Sequence, residues 1–309
     1  MTNLPINKLR EVFGDRLQEE VRLTNYTTTR VGGPAAGFIS IHTRQEMEST
    51  LKTLWELDIP YHILGSGSNL LISDKGYDGI IIHNRSHNVK VNTKVDPPVI
   101  IAESGAGLGE FAQITSRRGV SGFEWANSIP GTVGGAVYGN AGAHGTEVAD
   151  RLQSALVLSR EHGTQLLSKE EMGYEYRSSK FKREHQDVVI LEATFVGEMS
   201  DPQTCMDLLH ELTEKRRKTQ PQGPSFGSTF KNPQGNFAGK LLAEVGMKGL
   251  TCGGASFSEK HANFIINNGN ASAQDYYCLI QTAKKAVLDQ FGIELFPEVE
   301  FLGEFEDVD

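Results

Sequence analysis

Three polar residues, far apart in the chain, have side chains suited to work on an acidic carbon skeleton. Arg177, within Tyr176-Arg177-Ser178, carries a planar fork of donors that suits a carboxylate or an enolate developing from one. Ser228 stands on a glycine turn in Gly227-Ser228-Thr229-Phe230-Lys231-Asn232-Pro233. Its hydroxyl could donate a proton or cap its own turn, and the flanking glycines of a nucleophile elbow are missing. Glu298 follows Pro297 and opens an alternating run, Val299-Glu300-Phe301, which puts Glu298 and Glu300 on one face of a strand. A carboxyl entering an apolar strand can serve as a general acid; on an edge strand it is a solvated charge. Taken singly, each of the three also reads as an ordinary surface or turn residue.

Two glycine-rich stretches are the backbone counterpart of these side chains. Residues 129–145 read IPGTVGGAVYGNAGAHG and hold six glycines, Gly131, Gly134, Gly135, Gly139, Gly142 and Gly145, where average composition supplies about one. Small residues fill most of the gaps, as expected where a flat ligand lies directly on main chain. The other stretch, Gly65-Ser66-Gly67-Ser68-Asn69, can form an anion-binding concavity of successive N–H groups or a tight hairpin turn. Neither is a dinucleotide fingerprint, because Gly65-Ser66-Gly67 runs into an apolar strand and its third glycine is missing. No Gly-Lys-Ser/Thr follows, which excludes a Walker loop. Two peptide walls closing on one phosphate-bearing molecule are the expectation.

The elements that must position these groups follow from periodicity. A short amphipathic helix opens the chain, followed by a strand over 37–41, a helix over 44–57 and short strands over 61–64 and 70–73. Strand character continues over 80–103, with turn signals at 92–98, and a helix covers 108–118. Strands over 155–159, 165–167 and 188–196 complete an α+β region. A helix over 202–217, a proline-punctuated linker at 220–224, a helix over 238–245, a strand over 262–267, a capped helix over 272–290 and a strand over 298–302 make up the remainder. We expect residues 1–200 to form one region in two lobes, split near residue 78, and residues 201–309 a further domain whose last strand returns to the site.

With 309 residues and a net charge of −9, the chain has ample material for a core and no long basic run, which argues against nucleic-acid binding. Cys205, Cys252 and Cys278 follow neither a disulfide framework nor a zinc spacing. No apolar stretch approaches the length of a membrane span, and the N-terminus lacks a signal-peptide core. A reducing cytoplasm, no metal and no membrane contact are expected.

In order along the chain, eight stretches resemble the UDP-N-acetylenolpyruvoylglucosamine reductases, flavoenzymes of bacterial peptidoglycan synthesis, and specifically their second type, which lacks an inserted tyrosine-bearing loop. They are residues 30–35 (RVGGPA), 64–70 (LGSGSNL), 129–145, Tyr176-Arg177, 227–233 (GSTFKNP), 239–249 (GKLLAEVGMKG), 258–267 (SEKHANFIIN) and Pro297-Glu298-Val299. The resemblance implies an FAD-binding fold of the vanillyl-alcohol-oxidase type in two lobes, with a C-terminal α+β lobe over the substrate. FAD would be held by Gly65, Ser66, Gly67, Ser68, Asn69, Ile129, Pro130, Gly131, Thr132, Gly134, Gly135, Asn140, Ala141, Gly142 and Arg216. Asn232 and Lys248 would meet the diphosphate of the UDP-sugar. NADPH would reduce the flavin and give way to UDP-N-acetylglucosamine enolpyruvate, to which hydride then passes. Arg177 and protonated Glu298 would stabilise the charge developing on the substrate carboxylate, and Ser228 would protonate the adjacent carbon. A monomer is expected.

This chain departs from the family pattern at Ser66, at Ser128 and at Thr219, where a lysine usually precedes Gln-Pro and Lys218 stands beside it. Two other classes share the glycine walls. An oxidase of the same fold would lack Ser228 and Glu298 and often carries a His or Cys for covalent flavin, a role open to His144. A flavin- or nucleotide-binding protein without turnover would not need Arg177, Ser228 and Glu298.

Overall fold

The computed structural model describes residues 4–308, whose helices and strands interleave as an α+β fold. Packing divides the chain into two units. The first takes the chain up to Ile39, Ser66–Ile81 and the chain from Arg217 onward; the second takes Ser40–Gly65 and Ile82–Arg216.

The second unit is built on a five-stranded antiparallel sheet in the order Gly163–Ser168, Leu152–Ser159, Val188–Val196, Val99–Glu103, Val89–Asn92. The central strand, VVILEATFV, is rich in β-branched residues that suit a pleated and covered surface. Helix Leu108–Arg117 buries Leu108, Phe111, Ala112 and Thr115, a stripe at helical spacing. Phe111 meets Phe123 and Phe195 at ring-centroid distances of 5.1 and 5.2 Å, which places aromatic mass at the centre of this core. Helix Arg44–Glu56 begins on Thr43, whose hydroxyl accepts from Glu46 N at 3.1 Å, and buries Met47, Leu51, Leu54 and Trp55.

In the first unit Gln18–Arg22 pairs antiparallel with Pro34–Ile41. Thr251–Cys252, Ala255–Phe257 and Ile265–Asn267 form a small antiparallel sheet. Leu70–Ile72 pairs in parallel with Glu300–Leu302. Helix Ala273–Phe291 buries Ala273, Tyr276, Leu279, Ile280, Ala283 and Val287 in a core shared with Val31, Leu71, Phe230 and Val299. Each such large side chain contributes roughly 1.5–3 kcal/mol on burial. The expected capping box is present, with Ser272 Oγ accepting from Asp275 N at 3.0 Å and Asp275 accepting from Ser272 N at 2.9 Å. Asp74 reinforces it, accepting from Ala273 N and Gln274 N at 2.9 Å each.

Most expected elements lie within a few residues of their positions, and five readings change. The glycine stretch, to which periodicity assigns no regular element, carries a helix, Val133–Gly139, capped by Thr132 and ended by Asn140 in the left-handed region. Buried Val133, Ala136 and Val137 at helical spacing outweigh the helix penalty of its glycines. The strand expected over 262–267 starts at Ile265. The closing strand starts at Glu300, so Glu298 precedes it rather than opening it. The boundary expected near residue 200 falls at Arg216/Arg217, and the split expected near 78 at Ile81/Ile82. Helix Pro202–Thr219 explains the first of these shifts: its Leu209 is buried in the second unit's core, so the change in composition marks only where a polar helix begins. All three cysteines are free thiols, and among the described residues no helix is long and apolar enough to cross a membrane.

Candidate functional site

In the second unit the glycine stretch sits on the sheet through helix Val133–Gly139, which packs against the central strand Val188–Val196. Its entry is tied down by main chain. Val133 N and Gly134 N donate to Ala106 O and Ser104 O at 2.8 and 2.7 Å, and Gly131 O accepts from Leu108 N at 3.0 Å. Beneath lies a polar cluster with no signature in the sequence: Asn84 Nδ2 donates to Ser104 Oγ at 2.7 Å while Asn84 Oδ1 accepts from Ser86 N and Oγ. Because the first amides of this helix are engaged, its backbone does not offer the free N–H pair expected for a diphosphate. What it offers is bare Cα surface. A side chain at Gly139 would meet nothing within 4 Å, and one at Gly135 only Thr132 Oγ1 at 3.7 Å. Gly65 belongs to the same unit, and a Cβ there would stand 2.7 Å from Thr132 Oγ1, so the end of the first glycine stretch lies against the second.

Asn140 was expected among the cofactor contacts. It is instead fully enclosed, at 0 % exposure, with Nδ2 donating to Glu175 O at 3.0 Å and Oδ1 accepting from Ala149 N at 3.0 Å. Its effect is on Arg177. Glu175 and Ser178 exchange backbone hydrogen bonds at 3.0 and 3.1 Å, so Tyr176-Arg177 forms the tip of a tight hairpin. Arg177 takes φ +54° there, an uncommon conformation for a side chain of its size. Its Nη2 donates to Gly142 O at 2.6 Å, and its guanidinium lies 5.0 Å from the Tyr176 ring centroid. Arg177 is therefore half-buried against the end of the glycine stretch rather than solvated on the surface.

Within the first unit the structure brings Asn69, Ser228 and Glu298 onto one backbone frame. Glu298 N donates to Thr229 O at 2.8 Å, and Phe230 bridges Pro297. Asn69 Nδ2 donates to Glu298 O at 3.1 Å, and Glu300 N donates to Asn69 O at 3.0 Å. The remainder of the first glycine stretch turns beside residues 26–31. Gly67 takes φ +59°, and a Cβ there would lie 2.1 Å from Tyr26 O; its own carbonyl accepts from Thr28 N at 3.2 Å. Ser66 Oγ and Ser68 Oγ lie 3.3 Å apart, and Ser66 is exposed.

The remaining expected contacts are dispersed. Asn232 Oδ1 accepts from Ala238 N at 3.0 Å, closing the loop before helix Ala238–Glu244. Lys248 is exposed. Burial lowers the His261 pKa, and the charge of Lys248 lowers it further against an opposing backbone hydrogen bond. Arg216, in the second unit, is half-buried, and burial lowers its guanidinium pKa. His144, exposed in the glycine stretch, is held below the usual histidine value by burial and then by Lys215 and Arg216. Among the described residues no cluster of His, Cys, Asp and Glu could hold a metal ion.

Two family models match the chain. One, described as an FAD binding domain, covers residues 35–167; the other, described as the C-terminal domain of UDP-N-acetylenolpyruvoylglucosamine reductase, covers residues 219–302. The UDP-N-acetylenolpyruvoylglucosamine reductase of Caldanaerobacter subterraneus subsp. tengcongensis is 38 % identical over 306 residues, 98 % of this chain and 100 % of that protein. The reductase of the same name from Caldicellulosiruptor bescii is 42 % identical over 288 residues, 92 % of this chain and 90 % of that protein. Among solved structures, UDP-N-acetylenolpyruvylglucosamine reductase from Thermus caldophilus superposes with a TM-score of 0.78 at 32 % identity, covering 93 % of this chain and 100 % of that one.

Proposed function

The chain belongs to the UDP-N-acetylenolpyruvoylglucosamine reductase family, and from that premise we infer that it is an FAD-dependent oxidoreductase converting UDP-N-acetylglucosamine enolpyruvate to UDP-N-acetylmuramate with NADPH as reductant. The observation that carries this assignment is the frame joining Ser228-Thr229 to Pro297-Glu298 through the 2.8 Å hydrogen bond from Glu298 N to Thr229 O. It supports a reading in which the backbones that carry the Ser228 hydroxyl and the Glu298 carboxyl share one frame, as reduction with protonation at an adjacent carbon requires.

The residues present fit a flavin dinucleotide. Gly135 and Gly139 leave room beside the main chain that no neighbouring side chain fills, and Gly65, Ile129, Pro130, Gly131, Thr132, Gly134, Ala141 and Gly142 belong to the same wall. Ser66, Gly67, Ser68 and Asn69 make up the rest of the first glycine stretch, with Arg216 a further contact. FAD, when bound, supplies the hydride. Arg177 meets the substrate carboxylate with a guanidinium that its hairpin and the Gly142 carbonyl hold in place. Glu298, protonated, donates to the same developing charge, and Ser228 gives its proton to the adjacent carbon. Asn232 and Lys248 hold the diphosphate. The chain up to Arg216 serves mainly the cofactor, with Arg177 reaching the substrate, and the chain from Arg217 onward serves mainly the substrate. The acidic charge and the three thiols fit a monomer working in a reducing cytoplasm, in the service of cell-wall growth, cell shape and division.

The test is Ser228→Ala. Flavin reduction by NADPH, followed by loss of its absorbance, stays at the wild-type rate, while reduction of the enolpyruvyl substrate falls by roughly 10²–10⁴-fold, the range for a missing general acid. Unchanged turnover would remove Ser228 from the reaction.

A further inference from the structure

Asn263 lies in the turn before strand Ile265–Asn267 and is 4 % exposed. Its side chain reads the backbone of one residue twice, with Oδ1 accepting from Phe230 N at 2.9 Å and Nδ2 donating to Phe230 O at 2.9 Å. Its own carbonyl accepts from Thr229 N at 2.8 Å. The two residues after Ser228 are thus held by three hydrogen bonds, as a strand would hold them, although residues 227–233 form no regular element. Thr229 O, the group that receives Glu298 N, belongs to the same clasped pair. Position 263 in turn is fixed by the bond from its N–H to His261 Nδ1 at 3.2 Å.

We propose that Asn263 is the positioning residue for proton delivery, holding Ser228 and Glu298 in a common register without touching the substrate. The proposal rests on the assignment of Ser228 and Glu298 made above. An amide is required because Phe230 presents one donor and one acceptor side by side. Aspartate keeps the acceptor but sets an oxygen against the Phe230 carbonyl, and alanine leaves both groups unmatched in a buried position. A displacement of about 1 Å at a reacting group costs on the order of 10²-fold in rate, so a loosened clasp appears in the proton-transfer step before it appears elsewhere.

The experiment uses FAD-loaded protein and rapid mixing to separate flavin reduction by NADPH from reoxidation by UDP-N-acetylglucosamine enolpyruvate. In Asn263→Asp and Asn263→Ala the first step is expected within about threefold of wild type and the second slowed about 10–100-fold. Combined with Ser228→Ala, the Asn263 change is expected to cost clearly less than it does alone, because one of the two groups it positions is gone. Equal slowing of both steps, or losses that multiply in the double variant, would reduce Asn263 to a packing residue and overturn the proposal. Amide hydrogen exchange on the wild-type protein gives a readout independent of turnover and of any variant's folding: Thr229 and Phe230 are expected to exchange much more slowly than Ser228, and rapid exchange at both sinks the clasp. If the wild-type protein does not reduce the substrate at all, the assigned reaction fails; if it does and the Asn263 variants match it, only the clasp fails.

Discussion

Arg177 shows how much of a residue's role depends on what holds it. A non-glycine residue in the left-handed region at a constrained site costs on the order of 1–3 kcal/mol, and here the surrounding bonds impose it: the Glu175–Ser178 exchange, Asn140 on the Glu175 carbonyl, and the arginine's own reach to Gly142. A different balance governs His83, in strand Tyr77–Asn84, whose pKa is pushed down to about 4 by burial first, then by Arg85 and His42. The unfolded chain protonates this histidine near 6.5, so below that pH the unfolded state takes a proton the folded state refuses. Stability is therefore expected to fall as pH drops from about 6.5 toward about 4, and His83→Gln is expected to flatten that slope in melting temperatures recorded between pH 7.5 and 5. An unchanged slope would show that His83 is not the titrating group. Arg177, Ser228 and Glu298 stand out in the sequence only together, through the ordered stretches that carry them, since each alone reads as an ordinary surface or turn residue. The asparagines that fix them do not. Asn140 and Asn263 act through backbone atoms of residues 35 and 33 positions away, and backbone donors and acceptors leave no mark on residue choice.

At the scale of elements, the two glycine stretches are unlike each other. The first is a turn whose Gly67 and Asn69 carbonyls accept from Thr28 N and Glu300 N; the second carries a short helix whose glycines are used in different ways. Gly142 faces Thr146 O, which a Cβ would approach to 2.4 Å, so its own chain demands a glycine there. Gly135 is demanded by nothing in the folded chain, and alanine is favoured over glycine inside a helix by up to about 1 kcal/mol. Gly135→Ala is accordingly expected to raise the melting temperature of flavin-free protein while weakening FAD binding in a fluorescence titration. Unaltered affinity would remove Gly135 from the cofactor wall. The helix itself was hidden because glycine content outweighs a three-residue apolar stripe in any window read along the chain. The capped helix Ala273–Phe291 was open to view, since its Ser272 and Asp275 signal is local. The contribution of Asp74, about 200 positions earlier, was not.

For the molecule as a whole, contiguity in sequence and contiguity in packing part company. The family model for the C-terminal domain begins at residue 219, yet the unit containing it also takes in the described chain up to Ile39 and Ser66–Ile81. Val31 and Leu71 lie in its core, and strand Glu300–Leu302 finds its partner in Leu70–Ile72. A fragment of residues 217–309 is therefore expected to lack a cooperative thermal transition by circular dichroism, where the full chain has one. A sharp transition in the fragment would mean that the C-terminal segment folds alone. Linear reading misplaced the boundary because composition changes where helix Pro202–Thr219 begins, whereas the packing changes near its end.

The parallel pairing of Leu70 with Glu300 also imposes a timetable on biosynthesis. At roughly 5–20 residues per second, the ribosome leaves strand Leu70–Ile72 without its partner for roughly 10–50 s. The residues of the second unit have all been made by Arg216, so its core can close while the first unit still waits. During that interval Leu71 and Val31 are apolar side chains without their shelter, and it is then that the nascent chain most needs a chaperone.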